Sequence, residues 1–167
     1  MNFITSPPYQ VGDYYNDGRH TGVVFEVSNG GYHGKIIATH QNEGVWCENS
    51  HRKDICNSEV SGIENKQKVF SQFLQYSYQI YELIYNSFGY SKVDYYLPAI
   101  QELQKLRMVR GIVNNGLRDV YGEELDNGEY VSSTEKDNRI LTLNMGSGNV
   151  WDRDKSDELT FRLAFEF

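Results

Sequence analysis

The stretch Tyr95-Tyr96-Leu97-Pro98-Ala99-Ile100-Gln101-Glu102-Leu103 constrains the chain most. An apolar run reaches a proline, whose fixed φ and missing N–H suit a helix start, and Glu102 lies three residues past Ala99. This is a strand-to-helix corner, and Glu102 can reach back to the backbone N–H of the cap. Ile100, Leu103 and Leu106 then face one side and bury the helix against a core. Downstream, Tyr130-Val131-Ser132-Ser133-Thr134-Glu135 reads as a strand in which an apolar start gives way to hydroxyls and a carboxylate.

The rest of the chain reads as strands, a long loop and a helix before the corner, and a short helix and strands after it. Gly22-Val23-Val24-Phe25-Glu26-Val27, a Ser28-Asn29-Gly30-Gly31 turn and Gly34-Lys35-Ile36-Ile37-Ala38 predict a hairpin. Pro7-Pro8 marks an extended start, Tyr9 to Tyr15 a short strand, and Asn16-Asp17-Gly18 a turn. Residues 39–62 are polar and aperiodic and predict a long surface loop. From Lys66 the period turns helical: Phe70, Phe73, Leu74, Ser77, Ile80, Tyr81 and Ile84 make one stripe of the longest helix, which Gly89 ends. Tyr76, Tyr78 and Tyr85 fall beside that stripe, some of them partly exposed. Gly111 breaks the helix after the corner, and a short helix follows to Gly122. The remainder is strand: Glu129 to Glu135, Ile140 to Met145, a Gly146-Ser147-Gly148-Asn149 turn, Val150-Trp151, a charged loop from Asp152 to Glu158, and a last strand to Phe167. In that strand Phe161, Leu163, Phe165 and Phe167 alternate with Thr160, Arg162, Ala164 and Glu166, so one face is core.

At 167 residues the chain fits one domain, 1–167. Hydrophobic residues make up 39% with no apolar run near the ~20 residues of a membrane span, which argues against membrane insertion. A net charge of -7 with scattered Lys and Arg argues against nucleic acid, whose phosphates need a concentrated basic face. The first eight residues have neither the basic nor the apolar region of a signal peptide, which leaves the compartment open.

The Leu-Pro corner, the Ser-Ser-Thr-Glu strand and the opening Val11-Gly12-Asp13-Tyr14-Tyr15 with its hairpin together resemble the bacterial C-type-lectin-like domains typified by the C-terminal domain of Legionella collagen-like protein. That family's pattern reads Trp-Tyr-Leu-Pro-Ser-x-x-Glu-Leu and later Tyr-Trp-Ser-Ser-Thr-Glu. Two positions depart from it. Ala99 stands where a Ser or Thr caps the helix, leaving an orphan donor at a cost of about 1 kcal/mol, and Val131 stands where the family has Trp. The resemblance implies an α+β, C-type-lectin-like fold: a twisted antiparallel sheet with paired terminal strands, two main helices and long loops. It implies non-enzymatic recognition of a glycan or surface protein, with no cofactor, in an extracellular, cell-surface or virion setting. A structural or receptor-binding subunit of an appendage or virion fibre is the alternative, and oligomers fit both.

Enzymatic and metal-dependent readings find little purchase. The family match explains Ser132, Ser133 and Thr134 as structural groups, and the chain has no Gly-x-Ser-x-Gly elbow. Formylglycine-generating enzymes, which share the fold, need a cysteine pair in the C-terminal half, whereas Cys47 and Cys56 lie early. Those two either close a disulfide, worth about 2 to 3 kcal/mol, or stay free thiols; zinc would need two more ligands at recognisable spacing, and His40 and His51 do not supply the usual paired motif. Calcium-lectin motifs are missing, and Asp152-x-Asp154-x-Ser156-x-Glu158 lacks the glycine and closing Glu of an EF-hand, so it reads as a solvated charged loop. His20, His33, His40 and His51 read as surface side chains, and core and edge packing accounts for most of the thirteen tyrosines.

The candidate binding surface is the C-terminal loop region Asn149, Trp151, Asp152, Arg153 and Asp154, where an indole sits between a Gly-rich turn and a run of charge. The competing reading buries Trp151 in a second core. Pairing of the last strand with the Gly22–Ala38 hairpin carries a further expectation: deleting Phe165 to Phe167 abolishes cooperative thermal unfolding, and an unchanged melting transition would exclude the pairing.

Overall fold

Each hydrophobic run must find a partner surface, and the described residues do so with two sheets and four helices in a mixed α+β arrangement. The computed structural model describes residues 7–49, 52–72, 74, 77–88 and 94–167, without the side chains of 86–88. The first sheet has the order β1-β2-β3-β9, built from Tyr14–Asn16, Thr21–Ser28, His33–Ile37 and Ala164–Glu166. The second has the order β4-β8-β5-β6-β7, built from Asn42–Val45, Glu158–Phe161, Glu129–Lys136, Arg139–Asn144 and Val150–Arg153. The expected hairpin is β2 and β3. The end strand pairs antiparallel with it, Ile36 opposite Phe165 and Ile37 opposite Ala164, and Phe167 exchanges both backbone hydrogen bonds with Gly34.

The sheet is not the single antiparallel one expected. Two sheets form because the closing segment is two strands: β8 lies between β4 and β5, running parallel to β5 at Tyr130, and then Arg162-Leu163 carry the chain across to β9. The alternation therefore does not divide core from solvent. Residues 161–164 cross between sheets with protein on both sides, and Arg162 is fully buried. Its guanidinium donates to the Glu123 carbonyl at 2.6 Å and to Gln41 Oε1 at 3.2 Å.

The expected long helix is two, α1 (Gly62–Ser71) and α2 (Gln79–Phe88), and the two main helices are four. The break has a packing reason. It brings Tyr78, which falls off the stripe of a continuous helix, onto the Trp46 ring at 5.1 Å beside Tyr81 at 5.5 Å, and Tyr78 is buried. Phe73, Tyr76 and the Gly89 stop lie outside the described residues. The corner helix α3 (Ile100–Met108) ends at Val109, which leaves helical geometry while packing on the core, and Gly111 sits inside α4 (Arg110–Asp119).

Residues 39–62 are no plain surface loop either. They contain β4 and deliver Trp46, Cys47 and Cys56 into a core. The second sheet thus has two buried faces. Tyr130 and Leu143 face the core made with α3 and α4, while the alternate residues Val131 and Ile140 face the aromatic core around Trp46.

At the corner Ala99 has the extended geometry of a cap, φ -69 and ψ 165. Its N–H donates to Glu102 Oε2 at 2.8 Å, as the sequence pattern predicts. The first two N–H groups of the helix find partners outside it: Ile100 N–H donates to Thr134 Oγ1 at 3.0 Å, and Gln101 N–H to the Glu59 carbonyl at 2.9 Å. The Ser-Ser-Thr-Glu strand thus supplies a hydroxyl to this helix start, and the donor that the hydroxyl missing from position 99 would take is the Glu102 N–H. An Ala99→Ser hydroxyl would be left the Glu102 N–H to cap, and urea denaturation should show a gain of about 0.5 to 1 kcal/mol. A loss would mean that the fully buried Cβ of Ala99 has no space beside it for an oxygen.

Candidate functional site

The turn that launches β7 is built by asparagine and glycine. Asn144 Oδ1 accepts the Ser147 N–H at 2.7 Å, Gly148 takes the positive φ of +82 that a side chain resists, and Asn144 N–H closes onto the Asn149 carbonyl at 2.9 Å. β7 then pairs with β6, Thr142 opposite Trp151 and Ile140 opposite Arg153, and forms the outer strand of its sheet. Trp151, Asp152 and Arg153 are therefore strand residues. Only Asn149 and Asp154 of the predicted loop cluster lie in turns, because the charged sequence after Val150 still alternates across a pleat.

Trp151 does not fill a core, a place taken by Trp46; 38% of Trp151 is exposed. The Arg153 guanidinium carbon lies 5.1 Å from the centre of its ring, a cation–π contact. That guanidinium is fixed in turn by Glu129 of β5, with Nε to Oε1 and Nη2 to Oε2 both at 2.6 Å. Glu129 also accepts the Thr142 hydroxyl. The Arg153 hydrogen bond holds the Glu129 carboxyl below its usual range against the opposing effect of desolvation, and Glu129 raises Arg153. Next to this clamp Arg139 lies between Asp152, at 3.4 Å, and Asp154, at 3.5 Å. Asn149 is exposed at the strand's entrance.

The predicted residues are thus gathered on one edge, but two residues that organise them were missed. Glu129 and Arg139 belong to the preceding hairpin, and only the strand register places them beside β7. The loop from Asp152 to Glu158 is also not simply solvated. Lys155 is fully buried and meets Asp54 at 2.7 Å, Glu135 at 2.9 Å and the Arg52 carbonyl at 2.9 Å. Its acidic partners stand far away in sequence, so the local run of charge gives no sign of them.

Ser132, Ser133, Thr134 and Glu135 are all buried and bonded. Ser132 Oγ donates to the Leu141 carbonyl, Ser133 Oγ accepts from Asn65, and Thr134 Oγ1 donates to the Ser58 carbonyl. Glu135 accepts from Trp46 Nε1 at 3.0 Å and from the N–H groups of Ile55 and Cys56 at 2.7 and 2.8 Å. Both cysteines are buried free thiols, and burial, reinforced by Glu135, pushes the Cys56 thiol far up.

His20, expected at the surface, is buried. Its ring stacks on Phe165 at 3.8 Å, with Nδ1 2.8 Å from Asp17 and Nε2 3.2 Å from Asp94. Burial raises the Asp17 carboxyl, but the His20 ring and the N–H groups of His20 and Arg19 outweigh it and bring it down to about 2. The apolar face of Phe165 was invisible as a partner because it arrives with the last strand. His33 and His40 are exposed, and His51 lies outside the described residues.

Among the described residues no three His, Cys, Asp or Glu side chains are arranged to hold a metal ion, and no helix is long and apolar enough to cross a membrane. No family model matches the chain, and no characterised protein is significantly similar to it in sequence.

The Glu129 clamp sets a pH window. A carboxyl lowered on folding contributes stability above its ordinary value of 4.5 and loses it as pH falls through the lower, folded value. Acid titration below pH 4.5 should free Arg153 and change the emission of Trp151 before global unfolding. Glu129→Gln should lack that step. An identical acid transition in the variant would show that Glu129 does not govern the indole.

Proposed function

We propose that the protein is a non-enzymatic recognition domain of C-type-lectin-like kind, and that it binds a glycan or a surface protein through the β7 edge. The observation that carries this reading is the pre-set indole: Trp151 is partly exposed on an outer strand, with Arg153 over its ring and Arg153 itself locked to Glu129. A rigid aromatic with a fixed cation loses little freedom when a ligand arrives, and it offers an apolar face beside directed polar groups. Asn149, Asp152 and Asp154 add acceptors and donors along the same edge.

The finer fold reading is supported by the pairing of β3 with β9, by the Leu-Pro corner that Glu102 caps, and by the Ser-Ser-Thr-Glu strand that ties loops to sheet. The absence of catalysis is supported by the bonded state of Ser132, Ser133 and Thr134, whose hydroxyls are buried and spent on structure.

Glycan arrays and surface-protein panels screened with the purified protein supply the ligand for a comparison of variants. Trp151→Ala should weaken binding by about 2 kcal/mol with an unchanged melting temperature, and Arg153→Ala by about 1 kcal/mol or more with only the small loss of stability that its pairing with Glu129 supplies. A collapse of stability in Trp151→Ala with Arg153→Ala silent would sink the site.

A further inference from the structure

The two sheets part where the chain leaves β3 and where it passes from β8 to β9, and a cavity of about 250 Å³ lies there. Ala38, Tyr95 and Leu163 give it apolar walls, and Thr21, Thr39, His40 and Asn42 give it polar ones. None of these residues belongs to β7, so the cavity is independent of the surface proposed above.

The walls are held from behind. Ala38 N–H donates to the Leu163 carbonyl at 2.8 Å, and the Tyr95 hydroxyl is spent on Thr21, accepting from its N–H at 2.8 Å and donating to its carbonyl at 2.9 Å. The polar segment is anchored by Glu123, whose N–H donates to the Thr39 carbonyl and whose carboxylate accepts the Gln41 N–H. Tyr95 therefore offers the cavity its ring and not its hydroxyl. His40 Nδ1 faces Thr39 Oγ1 at 2.9 Å, and Nε2 has no hydrogen bond to any described residue. The Asn42 carboxamide is exposed and makes no hydrogen bond to any described residue.

Among the described residues no Asp, Glu, Lys or Arg lines the space, so a charged ligand would lose its hydration without gaining a counter-charge from them. The volume suits one ring and is too small for an oligomer. A carboxamide donates and accepts side by side, the complement of another amide edge, and an imidazole nitrogen takes either role. We propose that this cavity binds a small, uncharged, ring-bearing molecule with an amide-type edge, its ring against Ala38, Tyr95 and Leu163 and its polar edge toward His40 and Asn42.

Benzamide, benzoate and benzylamine present one ring with a neutral, an anionic and a cationic head, and glucose presents a neutral ring without an aromatic face. In ligand-observed NMR titrations near neutral pH, benzamide should bind, with benzoate, benzylamine and glucose weaker by about tenfold or more. Asn42→Ala, at an exposed position, should weaken benzamide by about tenfold. Ala38→Leu should abolish binding by filling the space, while Trp151→Ala should leave it unchanged. Equal binding of the three benzene derivatives, preference for glucose, no binding of benzamide, or binding that survives Asn42→Ala would each overturn the proposal. Should Ala38→Leu fail to fold, Asn42→Ala alone decides.

Discussion

A buried carboxylate must be fully bonded or it destabilises the fold, and Glu102 meets that requirement with four donors from three stretches of chain. Lys35 of β3 reaches Oε1 at 2.6 Å, the Tyr96 hydroxyl donates to the same oxygen at 3.1 Å, and the N–H groups of Ala99 and Gly62 meet Oε2 at 2.8 and 2.9 Å. One side chain thereby fixes the first sheet, the corner before α3 and the start of α1 relative to each other. Glycine at position 62 is part of the same constraint, because a Cβ there would stand 2.2 Å from the Leu97 carbonyl oxygen. Glu135 plays the matching part in the aromatic core, where Lys155 supplies the charge and Trp46, Ile55 and Cys56 supply the hydrogen bonds. The two regions are joined where Thr134, the neighbour of Glu135, accepts the Ile100 N–H of the helix that carries Glu102.

Local patterns were legible wherever local geometry decides the outcome. The Ser28–Gly31 turn, the Pro98 corner with its Glu102 cap and the Asn144–Asn149 turn all follow from residues within a few positions of one another. Patterns failed where a distant partner decides. Tyr78 leaves the helical stripe to meet Trp46, Arg162 is buried because the chain changes sheets at that point, and Lys155 is drawn inside by Glu135 and Asp54. Periodicity reports which residues share a face and is silent on whether the opposite face is also covered.

The candidate site divides in the same way. Trp151 and Arg153 stand out in the sequence as an indole within a run of charge, and they do meet. What makes the pair rigid is Glu129, two strands away in the sheet, and what neutralises the neighbouring aspartates is Arg139 of the strand between them. The small cavity had no sequence signature at all. Its lining is drawn from β2, the β3–β4 connection, the start of β4, Tyr95 and Leu163, which only the folded chain brings together.

The hairpin of β2 and β3 is flanked by both extremities of the described chain. Tyr9 N–H donates to the Gly31 carbonyl at 2.8 Å, Phe167 bonds to Gly34, and the rings of Tyr9 and Phe167 meet edge to face with centroids 5.1 Å apart. Two segments from far apart in sequence therefore share one contact, and loosening of either bares the ring of the other, so the two fray as one unit.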